Sequence, residues 1–310
     1  MDPKSHTAPL TTAQAERLKS LLADRGWDFE MKDYTLFAAR KDKTTVAVYE
    51  KGPKILVQGK GTGDFIRFIL EPEILGEAKL GYDEELQPEM FSPHFGIDES
   101  GKGDFFGPLV IAGAYVDRGI AHVFREAGIQ DSKAVSSDAR IRALADVIRN
   151  TPGAVHNVVV IGPVRYNELY RKFGNLNRLL AWGHARVIEN LLEARPDVPR
   201  ALSDQFANPT LIQRALLEKG SRIQLEQRTK AESDPAVAAA SILARAAFID
   251  WLEKNGRKFG QKLPRGASAE VKRVAGELAK THSAAVLEQL CKVHFKTARE
   301  VAPDYFGGSV

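Results

Sequence analysis

The sequence predicts an α/β protein in which a mixed sheet flanked by helices is preceded by a small α+β unit. Three observations carry this. Across 94–116 an apolar run leads into an acidic, glycine-rich turn and then a second apolar run, the pattern of an antiparallel strand pair. From about residue 154 onward, strand-like runs alternate with helical patterns. Before residue 80 a helix, three short β-rich runs and a second helix form a pattern of their own. A length of 310 residues with 44% hydrophobic content is enough for two domains, each with a core.

In chain order, residues 1–10 read as a loose tail. Thr11-Thr12-Ala13-Gln14 then opens an amphipathic helix with Ala15, Leu18, Leu21 and Leu22 on one face, ending near Gly26. Runs at 34–39, 44–49 and 54–58 predict an antiparallel meander, closed by a helix from Thr62 to about Ile69 that packs Phe65, Ile66 and Ile69 on the sheet. Between Arg40 and Lys60, six basic residues (Arg40, Lys41, Lys43, Lys51, Lys54, Lys60) face two acids (Asp42, Glu50), which suits a solvated sheet face or a phosphate-backbone platform. The polar, acidic stretch 77–89 reads as an interdomain linker. The expected organisation is a first domain over 1–80, a linker over 81–92 and a large domain over 93–310.

After its opening strand pair, the large domain is expected to hold a helix over 137–149, capped by Ser136 or Ser137, and a central buried strand over 154–161. Helices from Pro163 and over 176–194 follow, then a short strand at 200–205, a helix over 210–219 and a strand at 222–226. A long helix over 235–254 precedes one or two more, ending near Thr297.

The chemistry gathers at strand ends. Asp98 and Glu99 stand side by side at the bend, Gly101 and Gly103 let backbone approach a ligand, and Lys102 adds a positive charge. This pattern suits a divalent-metal site facing an anionic substrate, or a solvated hairpin turn. Asp204 ends a short strand as Asp98 does, and could equally be a cap or turn former. Glu232 and Asp234 precede a helix rich in alanine; a cap by Ser233 or Asp234 with Pro235 in the first turn explains one acid but not two. Four acids from separate regions, with no His or Cys required, would suit hard cations such as Mg²⁺ or Mn²⁺. Two such ions about 4 Å apart can activate water at a phosphodiester and stabilise the leaving oxygen.

The totals add bounds. The single cysteine, Cys291, excludes an internal disulfide and a Cys-based zinc site, and fits a reducing cytoplasm. Forty-four Lys and Arg against 40 Asp and Glu give +4, compatible with a polyanionic partner. No run approaches eighteen uninterrupted apolar residues and the start has no signal-peptide apolar core, so a cytoplasmic location without a membrane partner is expected.

Taken in order, Asp98-Glu99-Ser100-Gly101-Lys102-Gly103-Asp104-Phe105-Phe106-Gly107-Pro108, Asp131-Ser132-Lys133, Ser203-Asp204-Gln205-Phe206 and Ala238-Ala239-Ala240-Ser241-Ile242-Leu243-Ala244-Arg245 resemble ribonuclease HIII of the type 2 ribonuclease H group. The resemblance spans most of 93–300. It implies a ribonuclease H-like fold and metal-dependent cleavage of the RNA strand of RNA–DNA hybrids, leaving 5′-phosphate and 3′-hydroxyl ends. It also implies that the front unit is a substrate-binding, TATA-binding-protein-like domain, and a monomer is expected.

By position, Asp98, Glu99 and Asp204 are similar to the family's first three metal-binding acids. The fourth is typically Glu in ribonucleases HIII, which selects Glu232, with Asp234 as the alternative. Gly101, Lys102 and Gly103 resemble the segment that touches the ribose beside the cleaved phosphate, where backbone groups can reach a 2′-hydroxyl. Lys133 and Ser241 match substrate-side motif positions, against plain roles as an ion-paired lysine and a packing serine. Asp104 is expected to be structural, and Phe105 and Phe106 core. The rival readings are a ribonuclease HII-like enzyme cutting at single embedded ribonucleotides, a non-catalytic nucleic-acid-binding module, and a small-molecule metal hydrolase. Gly-Lys-Gly, where type HII usually has Gly-Arg-Gly, and the front domain favour HIII.

Overall fold

Helix α1 (Thr12–Asp24) starts with a reciprocal cap, Gln14 N donating to Thr11 Oγ1 at 3.2 Å and Thr11 N to Gln14 Oε1 at 2.8 Å. Its face of Ala15, Leu18 and Leu22 is buried in a core shared with Val46, Val48, Ile55 and Val57. The sheet beneath has five strands rather than three: β1 (Ser5–Pro9), β2 (Asp28–Glu30), β3 (Thr35–Lys41), β4 (Thr44–Tyr49) and β5 (Lys54–Gly59), in the antiparallel order β1-β5-β4-β3-β2. The expected loose tail is β1, which pairs along β5 from Ser5 opposite Gln58 to Pro9 opposite Lys54. Of its side chains only Ala8 is buried, and none of β2's is, so both added strands are held by backbone pairing that leaves little hydrophobic signature. The closing helix is longer than expected, α2 (Thr62–Phe65) continuing as a π-helix over Ile66–Leu75 that contains Pro72 and ends at Gly76 with φ +68°.

The computed structural model describes residues 4–77, 83–129, 132–205, 210–216, 222–229 and 231–307. Contacts divide the chain into two units, Met1–Glu89 and Met90–Val310. Within the stretch expected as linker lie α3 (Asp83–Leu86) and a 3₁₀ turn, Pro88–Phe91.

The second unit is built on β6 (His94–Ser100), β7 (Leu109–Val116), β8 (His156–Ile161), β9 (Arg200–Asp204) and β10 (Gln224–Arg228), in the order β10-β9-β6-β7-β8. The pairs β6–β7 and β7–β8 are antiparallel, whereas β9 lies parallel to both β6 and β10. Strand β8 is therefore an edge strand, correcting the expected central position: among the described residues it pairs only with β7, and Val160 is exposed. Its apolar run is packed from both sides, since Val158 and Val159 point to opposite faces and both rest on the core. Strand β10 begins two residues later than expected.

The helices are α4 (Arg118–Glu126), not anticipated and capped by Asp117, α5 (Asp138–Asn150), capped by Ser137, α6 (Pro163–Phe173), α7 (Leu176–Ala194), α8 (Thr210–Ala215), α9 (Pro235–Lys258), α10 (Ala269–His282), α11 (Val286–Leu290), α12 (Lys296–Val301) and α13 (Pro303–Phe306). Helix α9 is long and apolar enough by composition to cross a membrane, yet here it is a core helix whose first ten residues are all buried.

That helix meets β6 at close range. A Cβ added to Gly96 would lie 2.1 Å from the Ala236 carbonyl carbon, so glycine on the strand is what admits the helix backbone. Asp234, fully buried, caps α9 by accepting from Ala236 N at 2.8 Å and Val237 N at 3.3 Å, and both its oxygens face His94 Nε2 at 2.9 and 3.0 Å. His94 Nδ1 faces the Ser92 carbonyl at 2.7 Å, so both ring nitrogens meet acceptors. Asp234→Ala removes a cap and leaves His94 buried without its carboxylate; the expected loss is about 3–5 kcal/mol, read by thermal or urea unfolding, and a loss below about 1 kcal/mol would refute this clamp.

Candidate active site

Strand β6 carries Asp98, Glu99 and Ser100 at its end, where burial gives way to partial exposure. In the parallel pairing with β9, Phe95 lies opposite Ala201, Gly96 opposite Leu202 and Ile97 opposite Ser203, so the next register positions set Asp98 beside Asp204. Ala231 N lies 3.5 Å from Asp204 Oδ1, which brings the 3₁₀ turn Ala231–Ser233, and with it Glu232, to the same end of β9. The backbone thus carries all four expected acids to one sheet edge. Their side chains are not drawn into a cluster: among the described residues, no three His, Cys, Asp or Glu are grouped so as to hold a metal ion.

Consecutive strand residues point to opposite faces, and Asp98 and Glu99 accordingly find different partners. Asp98 Oδ1 accepts from Glu99 N at 2.8 Å, and its carboxylate is hydrogen-bonded by Ser241 with the Lys133 charge nearby. Burial, and then the negative charge of Glu99, still push Asp98 up to about 7. For Glu99 burial acts in the same sense but is outweighed: His184 Nε2 at 3.1 Å and Lys102 Nζ at 3.5 Å from its oxygens hold it below the usual glutamate range. Two adjacent carboxylates are thereby pulled in opposite directions.

The turn after β6 has glycines of two kinds. Gly101 has φ +87°, and a Cβ there would lie 2.2 Å from the Pro108 carbonyl oxygen and 2.9 Å from the Phe248 ring, so the fold itself demands glycine. Gly103 has no such φ, and a Cβ on it would meet nothing within 4 Å. Lys102, between them, is partly exposed, its Nζ 3.5 Å from Glu99 Oε1. Asp104 is structural, its Oδ1 accepting from Gly266 N, and Phe105 and Phe106 are fully buried, as expected.

Ser241, buried on α9, lies with its Oγ 2.8 Å from Ser132 Oγ and accepts from Ser132 N at 3.3 Å, so it links the 132–134 turn to Asp98. Lys133 is exposed on that turn. Asp131, Phe206 and Lys230 lie outside the described residues. Between the two candidates for the fourth acid the local roles differ: Asp234 is the buried cap and partner of His94, whereas Glu232 is partly exposed.

The sequence reading missed His184. It is buried on α7 among Leu180, Ala181 and Val187, where a lone histidine on an apolar helix face reads as core. The glycine before it marks a close approach of α7 to the sheet, since a Cβ on Gly183 would sit 2.6 Å from the tip of the Ile111 side chain.

A family model for Ribonuclease HII matches residues 95–298. Ribonuclease HIII of Chlamydia caviae is 44% identical over 301 residues, covering 95% of this chain and 98% of that protein. Ribonuclease HIII of Protochlamydia amoebophila is 43% identical over 283 residues, covering 91% and 92%. Among solved structures, Bst-RNase HIII in complex with Mn²⁺ superposes with a TM-score of 0.67 at 27% identity, over 97% of this chain and 98% of that one. With relatives of this identity spanning both units, the chain belongs to the ribonuclease HIII family and is an endoribonuclease of the ribonuclease H type.

Proposed function

We propose that this enzyme cleaves the RNA strand of RNA–DNA hybrids at the edge formed by Asp98, Glu99, Asp204 and Glu232, with Mg²⁺ or Mn²⁺ bound by those carboxylates, leaving 5′-phosphate and 3′-hydroxyl ends. The observation that carries the reading is the half-buried Asp98–Glu99 pair at the strand end, a concentration of negative charge that burial opposes. The donor set is all oxygen, which fits a hard divalent cation, and a relative's structure contains Mn²⁺. When bound, such an ion supplies an activated water and stabilisation of the leaving oxygen.

The chain's own residues do the positioning. Ser241 and the Glu99 amide orient Asp98, and His184 fixes Glu99. Glu232 is the fourth ligand in this reading because Asp234 is already committed to the helix cap and to His94. Lys133 adds positive charge on the substrate side. The Gly101-Lys102-Gly103 turn meets the ribose and its phosphate. Gly103 supports this, since nothing inside the protein requires a glycine there and open space beside its Cα is what an approaching sugar would use.

The unit Met1–Glu89 is the TATA-binding-protein-like substrate-binding domain, working in a monomeric, cytoplasmic enzyme. Relatives named ribonuclease HIII that match along both units favour type HIII over an HII-like preference for single embedded ribonucleotides.

Three results are expected. In EDTA, Asp98→Asn melts higher than wild type because a buried repulsion is gone, whereas Mg²⁺ or Mn²⁺ raises the melting temperature of wild type by several degrees and leaves the variant unmoved; equal stabilisation of both would remove Asp98 from the metal site. On an end-labelled hybrid, Glu232→Gln lowers kcat by at least about 100-fold and Asp234→Asn costs mainly stability, so the reverse ranking moves the fourth ligand. Gly103→Ala folds with an unchanged melting temperature but raises KM for the hybrid about tenfold, and an unchanged KM would sink the ribose contact.

A further inference from the structure

The loop that follows the acidic turn is stapled from two sides. Phe105 N donates to the Gly266 carbonyl at 2.9 Å. On the other side, segment 290–292 runs antiparallel to 105–107: Gly107 N donates to the Leu290 carbonyl at 2.8 Å, Lys292 N to the Phe105 carbonyl at 2.9 Å, and Phe106 bridges Cys291. Lys292 is fully buried, a rare state for lysine, and among the described residues its ammonium is hydrogen-bonded by backbone carbonyls rather than by a carboxylate. Its Nζ donates to the backbone carbonyls of Asp104 at 2.8 Å and Gly107 at 2.7 Å, with Phe106 at 3.5 Å, and lies 5.6 Å from the centre of the Tyr166 ring. Burial lowers its pKa to about 7 against the opposing pull of Asp104 and Cys291, a cost the fold accepts for this contact.

None of the motifs read from the sequence includes Lys292, and packing alone does not call for an amine there, since a methionine would fill the same space. We infer that Lys292 is a positioning residue for the ribonuclease reaction: by gathering the carbonyls of residues 104, 106 and 107 it fixes the base of the 101–107 turn, and so the placement of Gly101, Lys102 and Gly103 against the substrate. The last quarter of the chain, through α11 and the segment after it, thereby sets the geometry of a turn nearly 190 residues earlier. The inference rests on the reading of 101–103 as the ribose-contacting turn.

The test compares full-length wild type with Lys292→Met, which keeps the volume and loses the donors, and with Lys292→Gln, which keeps a donor should the methionine variant fail to fold. Amide hydrogen exchange is followed at Phe105 and Gly107, and hybrid cleavage is assayed well below each melting temperature. A control in the same unit that loses similar stability, Ile148→Ala on α5, separates positioning from general destabilisation. The expected result is exchange at Phe105 and Gly107 faster by tenfold or more, unchanged exchange in β7, and a kcat/KM lowered about tenfold or more, mainly through kcat, as a small misplacement produces. The glutamine variant should fall between, and Ile148→Ala should cleave like wild type. Unchanged exchange at the two amides overturns the anchoring, and faster exchange with wild-type kcat/KM overturns the positioning role. Failure of the ribose reading shows separately, as an unchanged hybrid KM in Lys102→Ala.

Discussion

The proposed catalytic edge depends on how closely helix α9 approaches strand β6. Gly96 gives up its side chain to let the Ala236 backbone in, and the buried His94–Asp234 contact locks the helix start to the strand start. Small residues along the first turns of α9 allow the contact to continue down the sheet. Once that distance is fixed, the turn before the helix lies at the end of β9, where Ala231 meets Asp204, and Asp204 stands beside Asp98 in the strand register. Asp234 is buried in this joint, committed to His94 and the α9 amides, whereas Glu232 two residues earlier is partly exposed.

Electrostatics sharpen the same edge. Asp98 and Glu99 sit where water is scarce, and the fold does not relieve both equally. His184 from α7 and Lys102 from the turn take the charge of Glu99, leaving Asp98 with a hydroxyl, an amide and a more distant lysine. Without a cation the charge on Asp98 is a local cost in stability. A bound divalent ion would turn it into a gain, consistent with side chains that share an edge without forming a closed cluster.

Much of this was legible in the sequence wherever side chains carry the information. The Thr11–Gln14 cap, the Ser137 cap, helix 176–194 and the β6–β7 pair all follow from patterns of polarity. Strands β1 and β2 were not, because backbone hydrogen bonds at a sheet edge leave no alternation to read. Strand β8 was misplaced since an apolar run packed from both faces looks alike at the centre of a sheet or at its edge. In the site, the acids announce themselves by their position at strand ends and by resemblance. His184 and Lys292 do not, for each acts through a partner far away in sequence, and a histidine on an apolar helix or a lysine near the chain end has an ordinary explanation until the fold is known.

The most direct measurement is the anomalous diffraction of crystals grown with Mn²⁺. The expected result is manganese density at the ends of β6 and β9, held by carboxylates among Asp98, Glu99, Asp204 and Glu232, while Asp234 stays on His94 and the α9 amides. Manganese held by Asp234, or absent from the β6–β9 edge at saturating concentration, would contradict the assignment of this edge as the catalytic centre.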